Sequence, residues 1–308
     1  MQKISLRSPA TVANLSCGFD TLGICLNEPY DEIEIKKIPK PIVVINSLKS
    51  SFSNIPTNAQ ENTGGVPAEL IINDLSLDFG FEINIKKGIP LCGGLGSSAA
   101  TAMGVVYGIN EILEKKISQN DMLKYALEGE KLSSKSLHAD NIAPCLMGGL
   151  VLVRDIKPID LIPIPTGDYY FTIIHPDINV STSEARSILP EKINLNVATK
   201  QWANISALTY SFVSNDIELM KRSMTDYIVE PIRSKLIPKY NEIKKTALDS
   251  GAIGCSISGS GPSIFAICRN KEEAKKISNA MKIPLKKSSI RYHSYISKIN
   301  QQGVKTIK

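Results

Sequence analysis

Residues 4–7, 32–38, 42–45 and 81–86 alternate apolar and polar side chains with a period of two, the pattern of half-buried strands. Longer stretches at 62–75, 97–113 and 119–132 carry apolar residues at helical spacing, and 148–153 returns to strand. Pro158, Pro163 and Pro165 interrupt 154–166, which reads as a connector. Beyond it, a strong apolar strand at 169–174 precedes helical stretches around 182–188, 197–213, 215–228 and 234–250. Strand 252–258, a glycine turn, strand 263–268, helix 271–281 and a last strand near 290–296 complete the chain. There is no internal repeat. The order predicts an α+β protein of two lobes meeting near residue 160.

Composition narrows the function class. At 308 residues, 43% hydrophobic and 21% charged, the chain can bury a large core. Its net charge of +6 is spread in short lysine pairs with no basic block interleaved with aromatics, so no nucleic-acid partner is expected. No apolar run is long enough to cross a bilayer, and residues 1–7 lack the apolar core of a signal peptide, so no membrane partner is expected either. The six cysteines include no C-x-x-C pair, which points to reduced thiols in a cytoplasmic protein rather than a disulfide frame or a zinc site. Cys92 is expected to be a small buried filler.

Candidate chemistry gathers in four clusters. The first is Pro90, Leu91, Cys92, Gly93, Gly94, Leu95, Gly96, Ser97, Ser98, Ala99 and Ala100, between a predicted strand and a predicted helix. Glycines let backbone N–H groups turn inward, and a helix start adds unpaired donors and a positive dipole end, so this geometry suits phosphate. Ser97 and Ser98 are candidate caps. No Lys follows Gly96, so this is not the common phosphate loop, and no ribose-binding acid follows to make it a dinucleotide fingerprint. The second cluster, Ser258, Gly259, Ser260, Gly261 and Pro262, reads equally as a hairpin turn or as backbone approaching a ligand. The third runs from Ser8 to Asp20 and joins the first strand to the next element, with Asn14 and Asp20 as its polar grips. The fourth is His138, Ala139, Asp140 and Asn141, with Glu130 upstream on a helix. Taken singly, the third and fourth read as ordinary loop and surface residues.

In this order the clusters resemble the GHMP kinase superfamily, named for galacto-, homoserine, mevalonate and phosphomevalonate kinases. The marks are Pro9-Ala-Thr-Val-Ala-Asn14, Gly94-Leu-Gly-Ser-Ser-Ala-Ala100 and Ser258-Gly-Ser-Gly-Pro-Ser263. Further matches, namely Gly18-Phe-Asp20, His138-Ala-Asp-Asn-Ile-Ala-Pro144, Val180-Ser-Thr-Ser-Glu-Ala-Arg186 and Glu230-Pro-Ile-Arg233, make the chain similar to the homoserine kinase branch. The resemblance spans about residues 4–268. It implies an N-terminal lobe, 1–157, like ribosomal protein S5 domain 2, with a left-handed βαβ crossover against the usual hand. It implies a ferredoxin-like C-terminal lobe, 158–308, and an active site between the two.

It further implies phosphorylation of L-homoserine by ATP to O-phospho-L-homoserine, a step of threonine biosynthesis, by a homodimer. Residues 90–100 would wrap the ATP phosphates, Asn62 would lie on the adenine side, and Ser98 and Glu130 would hold Mg²⁺. Asn14, Asp20, His138, Asn141, Arg186 and Arg233 would bind homoserine, with Thr182 near the reacting hydroxyl and Gly259 at the site floor. The chemistry is consistent: an ammonium wants a carboxylate such as Asp20, and a carboxylate wants an arginine fork. Mevalonate kinase-like members place a catalytic Asp where this chain has Asn141, seven residues before Gly148. An amide is no base. The expectation is therefore that Asn141 orients the hydroxyl while its proton passes to a γ-phosphate oxygen, with Asp140 as the rival base. Competing readings are a mevalonate or archaeal-type shikimate kinase, a catalytically silent GHMP-like binding protein, and a Rossmann oxidoreductase.

Overall fold

The computed structural model describes residues 2–52, 55–134 and 137–307. The first strands, β1 (Lys3–Ala13) and β2 (Leu22–Ile38), form a long antiparallel pair. β1 takes in Pro9 to Ala13, so the third cluster begins as strand rather than loop. The chain leaves β1 through Asn14, Leu15 and Ser16, all with positive φ. β3 (Val43–Ser47) leads through a short 3-10 turn and α1 (Gly65–Asp74) to β4 (Gly80–Lys86), which lies parallel to β3 and antiparallel to β2. α2 (Ser97–Ile112), α3 (Gln119–Ser134) and α4 (Ile142–Met147) follow.

The expected connector at 154–166 is instead most of a hairpin, β5 (Leu150–Ile156) with β6 (Ile159–Ile164), docked on the first part of β2. Its prolines fit because β6 pairs on one side only, where a missing N–H leaves no ladder bond unmade.

The second sheet holds β7 (Tyr170–Pro176), β8 (Gly254–Ile257), β9 (Ile264–Cys268) and β10 (Tyr292–Lys298), in the order β10-β7-β9-β8. This is the order of a split βαβ unit. Between β7 and β8 run α5 (Thr182–Ser187), α6 (Leu195–Ser214), α7 (Ile217–Ser223), α8 (Glu230–Arg233) and α9 (Tyr240–Asp249). The helix expected at 215–228 ends at Ser223, because the Asp226 carboxylate accepts N–H bonds from Ile228, Val229 and Glu230 and folds a turn there. α10 (Lys271–Lys287) continues past the expected residue 281, through Pro284. A short β11 (Lys305–Ile307), which no sequence period marks, pairs with β1, so β6 and β11 both lie in the first sheet.

β7 explains how the two sheets share a core. Phe171 and Ile173 face the main core beneath the first sheet, while Ile174 faces a second core with α9 and α10. Both faces of the strand are buried, which is why it reads as a continuous apolar run rather than an alternation. α2 lies close on the first sheet because Gly104 has no side chain; a Cβ there would meet Ile33 Cδ1 at 2.6 Å.

Candidate active site

A cleft of about 360 Å³ opens between the sheets, and most of the sequence-predicted residues line it. Asn14, Asp20, Asn62, Leu91, Cys92, Gly93, Gly94, Gly96, Ser97, Ser98, Glu130, His138, Asn141, Thr182, Arg186, Arg233 and Gly259 all reach it. Pro90, Leu95, Ala99 and Ala100 do not; they are buried behind the loop and anchor it to the core.

The glycine loop is held from both sides. Thr11 N–H donates to Leu95 O at 3.2 Å from β1, and Ser263 N–H donates to Gly93 O at 3.3 Å from the second sheet. The Ser258 hydroxyl donates to Gly94 O at 2.6 Å, and Gly259 N–H to Ala13 O at 3.2 Å. The second glycine cluster is thus both a β8–β9 hairpin turn and the clasp on the first. Gly96 caps α2 in a left-handed conformation, φ 62°, with no side-chain cap bond. Ser97 and Ser98 are the first helical residues rather than caps; the Ser97 hydroxyl turns back to Ile89 O at 3.3 Å. A Cβ on Gly96 would stand 2.1 Å from Thr11 Oγ1 and 2.8 Å from Asn141 Oδ1, so glycine is required here. The open end of α2 faces the cleft with unpaired N–H groups and its positive dipole end. Cys92, at φ 50°, is exposed at the loop tip, not buried, because the loop turns that residue outward.

Beneath the loop lies a buried charge cluster that sequence reasoning missed. Lys87 Nζ pairs with Asp31 and donates to Ser97 O and Thr101 Oγ1, each at 2.9 Å. Asp31 also accepts the N–H groups of Gly88 at 2.9 Å and Ile89 at 3.1 Å. The pair ties β2 to the end of β4 and to the first turn of α2. Both residues sit one position outside a recognisable strand pattern, so no periodicity marks them.

Glu130, on α3, meets the α2 start. Its carboxyl is bonded by the Ser98 and Ser133 hydroxyls, and burial pushes it up to about 7. A hydroxyl beside a desolvated carboxylate, next to helix N–H groups, is a hard-oxygen donor set of the kind Mg²⁺ takes, with its remaining ligands from water and phosphate. The residues present therefore fit the ion. Among the described residues no cluster of three or more His, Cys, Asp or Glu forms a self-sufficient metal site.

The other end of the cleft is charged. Arg186 Nη2 donates to both Asp20 oxygens, at 2.8 and 2.6 Å. His138 Nδ1 lies 3.5 Å from Asp20. Asp20 itself adopts φ 59°, and its N–H is held by Asn14 Oδ1 at 3.1 Å. Asn14 and Arg233 both donate to Gly259 O at 3.0 Å. Arg233 also donates to Ala185 O at 3.0 Å, and burial draws its guanidinium down to about 10. Phe19 sets the spacing of the two arginines, each guanidinium carbon standing 5.1 Å from its ring centroid. Burial also lowers the His138 imidazole below its usual range, with Arg186 and Arg233 adding to the effect and Asp20 opposing it.

Between the two ends sit Asp140 and Asn141. Thr11 Oγ1 donates to Asn141 Oδ1 at 2.7 Å, which turns the amide donors of Asn141 away from that bond. Asp140 is 3% exposed, and burial, then Asp20 and Glu130, push its carboxyl up to about 7. Asn62 contributes its position rather than a free side chain. It donates to Pro56 O at 2.7 Å and accepts from Gly64 N at 2.9 Å, shaping the entry to α1.

Comparison with known proteins agrees with this architecture. The model of the GHMP kinases N terminal domain matches residues 66–149, and that of the GHMP kinases C terminal domain matches 208–287. Homoserine kinase of Chlorobium phaeobacteroides strain BS1 is 39% identical over 320 aligned residues, covering all of both chains. That of Methanococcus vannielii is 39% identical over 283, covering 92% of this chain and 93% of its own. The crystal structure of homoserine kinase from Cytophaga hutchinsonii superposes with a TM-score of 0.95 at 46% identity, over 100% of this chain and 98% of the other. A cleft with a phosphate-type helix start at one end and a paired carboxylate and arginines at the other is thus carried on a chain that matches such relatives from end to end, and this chain belongs to the homoserine kinase family of the GHMP kinases.

Proposed function

We propose that the cleft transfers the γ-phosphoryl group of ATP to the side-chain hydroxyl of L-homoserine, giving ADP and O-phospho-L-homoserine for threonine biosynthesis. The observation that carries this is the pairing, in one cleft, of the α2 start and Ser98–Glu130 with the Asp20–Arg186–Arg233 group. The first suits a nucleotide triphosphate; the second suits the head of an α-amino acid. In this reading the N–H groups of the glycine loop and the α2 start bind the phosphates. Asp20 takes the substrate ammonium, and Arg186 and Arg233 take its carboxylate. Asp20 and Arg186 are bonded to each other, so the substrate's two charges replace a pair already made. Each group then keeps an ionic partner throughout, and the cost of desolvating it is met before substrate arrives.

Asn14, His138 and Gly259 fix the Asp20 loop, and Thr182, on the first turn of α5, faces the acceptor hydroxyl. Asn141 donates from its amide toward the reacting oxygens, and the hydroxyl proton passes to a γ-phosphate oxygen. The cleft-facing part of the 90–100 loop, residues 91–94 and 96–98, wraps the nucleotide phosphates, with Pro90, Leu95, Ala99 and Ala100 anchoring it from behind and Asn62 on the base side. Mg²⁺ held by Ser98 and Glu130 would neutralise charge on the phosphates. Lys87, paired with Asp31, braces the loop from beneath through Ser97 O and Thr101 Oγ1.

The enzyme is also proposed to be cytoplasmic, which its six free cysteines fit, and to work as a homodimer. In support of the dimer, α6 presents Leu195, Trp202 and Tyr210 to solvent, 69, 57 and 63% exposed. Among the described residues no helix is long and apolar enough to cross a membrane.

The deciding experiment is a coupled ADP-release assay with Mg·ATP, comparing L-homoserine with L-serine, L-threonine, mevalonate and shikimate, with phosphorus NMR of the product. Homoserine-dependent release and a side-chain phosphate ester are expected. Turnover of mevalonate or shikimate in preference to homoserine would overturn the substrate assignment, and absence of ATP binding would overturn the kinase reading. Sedimentation velocity tests the dimer.

A further inference from the structure

A second cavity, of about 250 Å³, lies away from the cleft where β1, β2 and the C-terminal segment meet. Arg7 on β1 and Lys305 on β11 are direct cross-strand partners and both line it. Two like charges directly opposite on one sheet face repel, and such a pair persists at lower cost when an anion sits between the two. Among the described residues no carboxylate stands at contact distance from either. Opposite Arg7 on β2 stands Glu32, whose carboxylate is held by Lys86 at 3.1 Å. Among the described residues neither Arg7 nor Lys305 has an ion-pair partner. The Arg7 guanidinium lies over the Tyr30 ring, 4.3 Å from its centroid, and its Nε is buried with no acceptor. A stacked guanidinium with an unsatisfied buried donor is held in shape for a planar oxyanion.

The lining also contains one carboxylate. Glu28 sits on the cavity wall; burial pushes its carboxyl above the ordinary range, and Arg7 and Lys305 are the cations that oppose this and favour its charge. A wall with two cations and one carboxylate has the charge layout of an amino-acid head group, and the volume suits a small molecule only.

We propose that this cavity binds a small zwitterion of the α-amino-acid class, its carboxylate on Arg7 and Lys305 and its ammonium toward Glu28. The site is separate from the cleft but built on the same strands. Ser8, next to Arg7, donates to Ala100 O at 2.6 Å in the first turn of α2. Asp31, next to Tyr30, holds Lys87 beneath the glycine loop. Four residues along β1 from Arg7, about 13 Å at strand rise, Thr11 holds Asn141. An occupant would rest on the outer side of the strands that position the phosphate loop.

The test is isothermal titration of the full-length protein with glycine, L-alanine, L-serine, L-threonine and L-homoserine, with acetate, methylammonium and inorganic phosphate as single-charge probes. At least one amino acid is expected to bind at a site that survives Arg186→Met, which disables the cleft's head-group end. Arg7→Met and, separately, Lys305→Met should weaken that site about tenfold or more, the size of a lost charge-assisted bond. Glu28→Gln should weaken the amino acid while acetate binds as tightly as before or more tightly. Turnover of homoserine by these three variants should stay within about twofold of the parent. Lys305 is exposed, so Lys305→Met carries the test even where Arg7→Met fails to fold.

Three results would overturn the proposal: no amino-acid binding that survives Arg186→Met, binding indifferent to both Arg7→Met and Lys305→Met, or phosphate binding more tightly than every amino acid. None of these outcomes depends on which substrate the cleft phosphorylates, so the two readings fail separately.

Discussion

Asp140→Asn separates the two ways the acceptor hydroxyl can lose its proton. Asp140 has the features of a general base: it lines the cleft, it is 3% exposed, and its carboxyl is pushed up to about 7. A working general base contributes about 10²- to 10⁴-fold in rate. If Asp140 is that base, Asp140→Asn costs this factor in kcat with little change in KM. If instead Asn141 orients the hydroxyl and the phosphate takes the proton, as proposed above, Asp140→Asn should cost less than about tenfold. Asn141→Ala should then cost roughly 10²-fold, because it removes the amide donors and leaves Thr11 Oγ1 without its 2.7 Å partner. Steady-state kcat and KM for homoserine at about pH 8, where carboxyls near 7 are mostly ionised, provide the comparison. A loss of about 10²-fold or more in Asp140→Asn with KM intact, beside little loss in Asn141→Ala, would refute the argument.

The same substitution has a stability signature of known sign. The Asp140 carboxyl is raised from its ordinary value of 3.8 to about 7, by burial first. The unfolded chain ionises it near pH 4, while the folded chain holds the proton until about pH 7. Its contribution is therefore neutral below pH 4, becomes increasingly unfavourable as pH rises to 7, and is constant above. At about 1.4 kcal/mol per pH unit this amounts to at most roughly 4 kcal/mol at pH 8. Asp140→Asn should consequently raise Tm at pH 8 by several degrees and leave it nearly unchanged at pH 4. A variant less stable than the parent at pH 8 would mean that the ionised carboxylate is held by bonds that outweigh its burial.

Glu130→Gln keeps the shape of the α2–α3 junction but removes the charge; the Mg²⁺ concentration for half-maximal rate should rise about tenfold or more, and the parent's need for Mg²⁺ should steepen below pH 7, where its buried carboxyl gains a proton. Asp20→Asn and Arg186→Met should each raise the homoserine KM by about 10- to 100-fold with ATP binding unchanged, while Tm moves by less than a few degrees, since the pair is about one-third exposed and contributes little to stability. Gly96→Ala places a methyl group 2.1 Å from Thr11 Oγ1 at φ 62°, and should abolish ATP binding measured by titration before it unfolds the protein.

How much of the fold is legible in the sequence depends on the kind of signal. β4 and α2 announce themselves through the period of their apolar residues, and the glycine loop between them through composition alone. The hairpin of β5 and β6 does not, because three prolines outweigh alternation in any local reading, and only the one-sided pairing of β6 makes Pro163 acceptable. The same limit hides β11. Three residues carry no period, and what makes them a strand is the free side of β1, at the other end of the chain. Cys92 departs from expectation for a related reason: cysteine is usually buried, but a positive φ in a glycine loop turns the residue outward whatever its chemistry.

The candidate site divides along the same line. Residues proposed to meet the substrate directly, such as Asp20, Arg186 and Arg233, are few, polar and set in recognisable strings, so the sequence alone marks their positions. It does not show which residues hold those in place. Lys87 and Asp31 are one lysine among many and one acid among many until β2 and β4 bring them together. Thr11 becomes a partner of Asn141 only because β1 runs beneath the start of α2. Phe19 becomes a platform only when α5 and α8 deliver two arginines to it. Each of these contacts joins segments that are distant in sequence, so although Thr11 and Phe19 stand inside recognisable strings, nothing local shows what either one holds. If the cleft works by positioning rather than by a protein base, as Asn141 implies, rate should be as sensitive to this hidden layer as to the residues that meet the substrate. Thr11→Val, which keeps the volume and removes only the hydroxyl, should then lower kcat by about tenfold with KM for ATP unchanged. A Thr11→Val enzyme with parental kcat would show that Asn141 needs no help to hold its orientation, and that positioning resides in the substrate-facing residues alone.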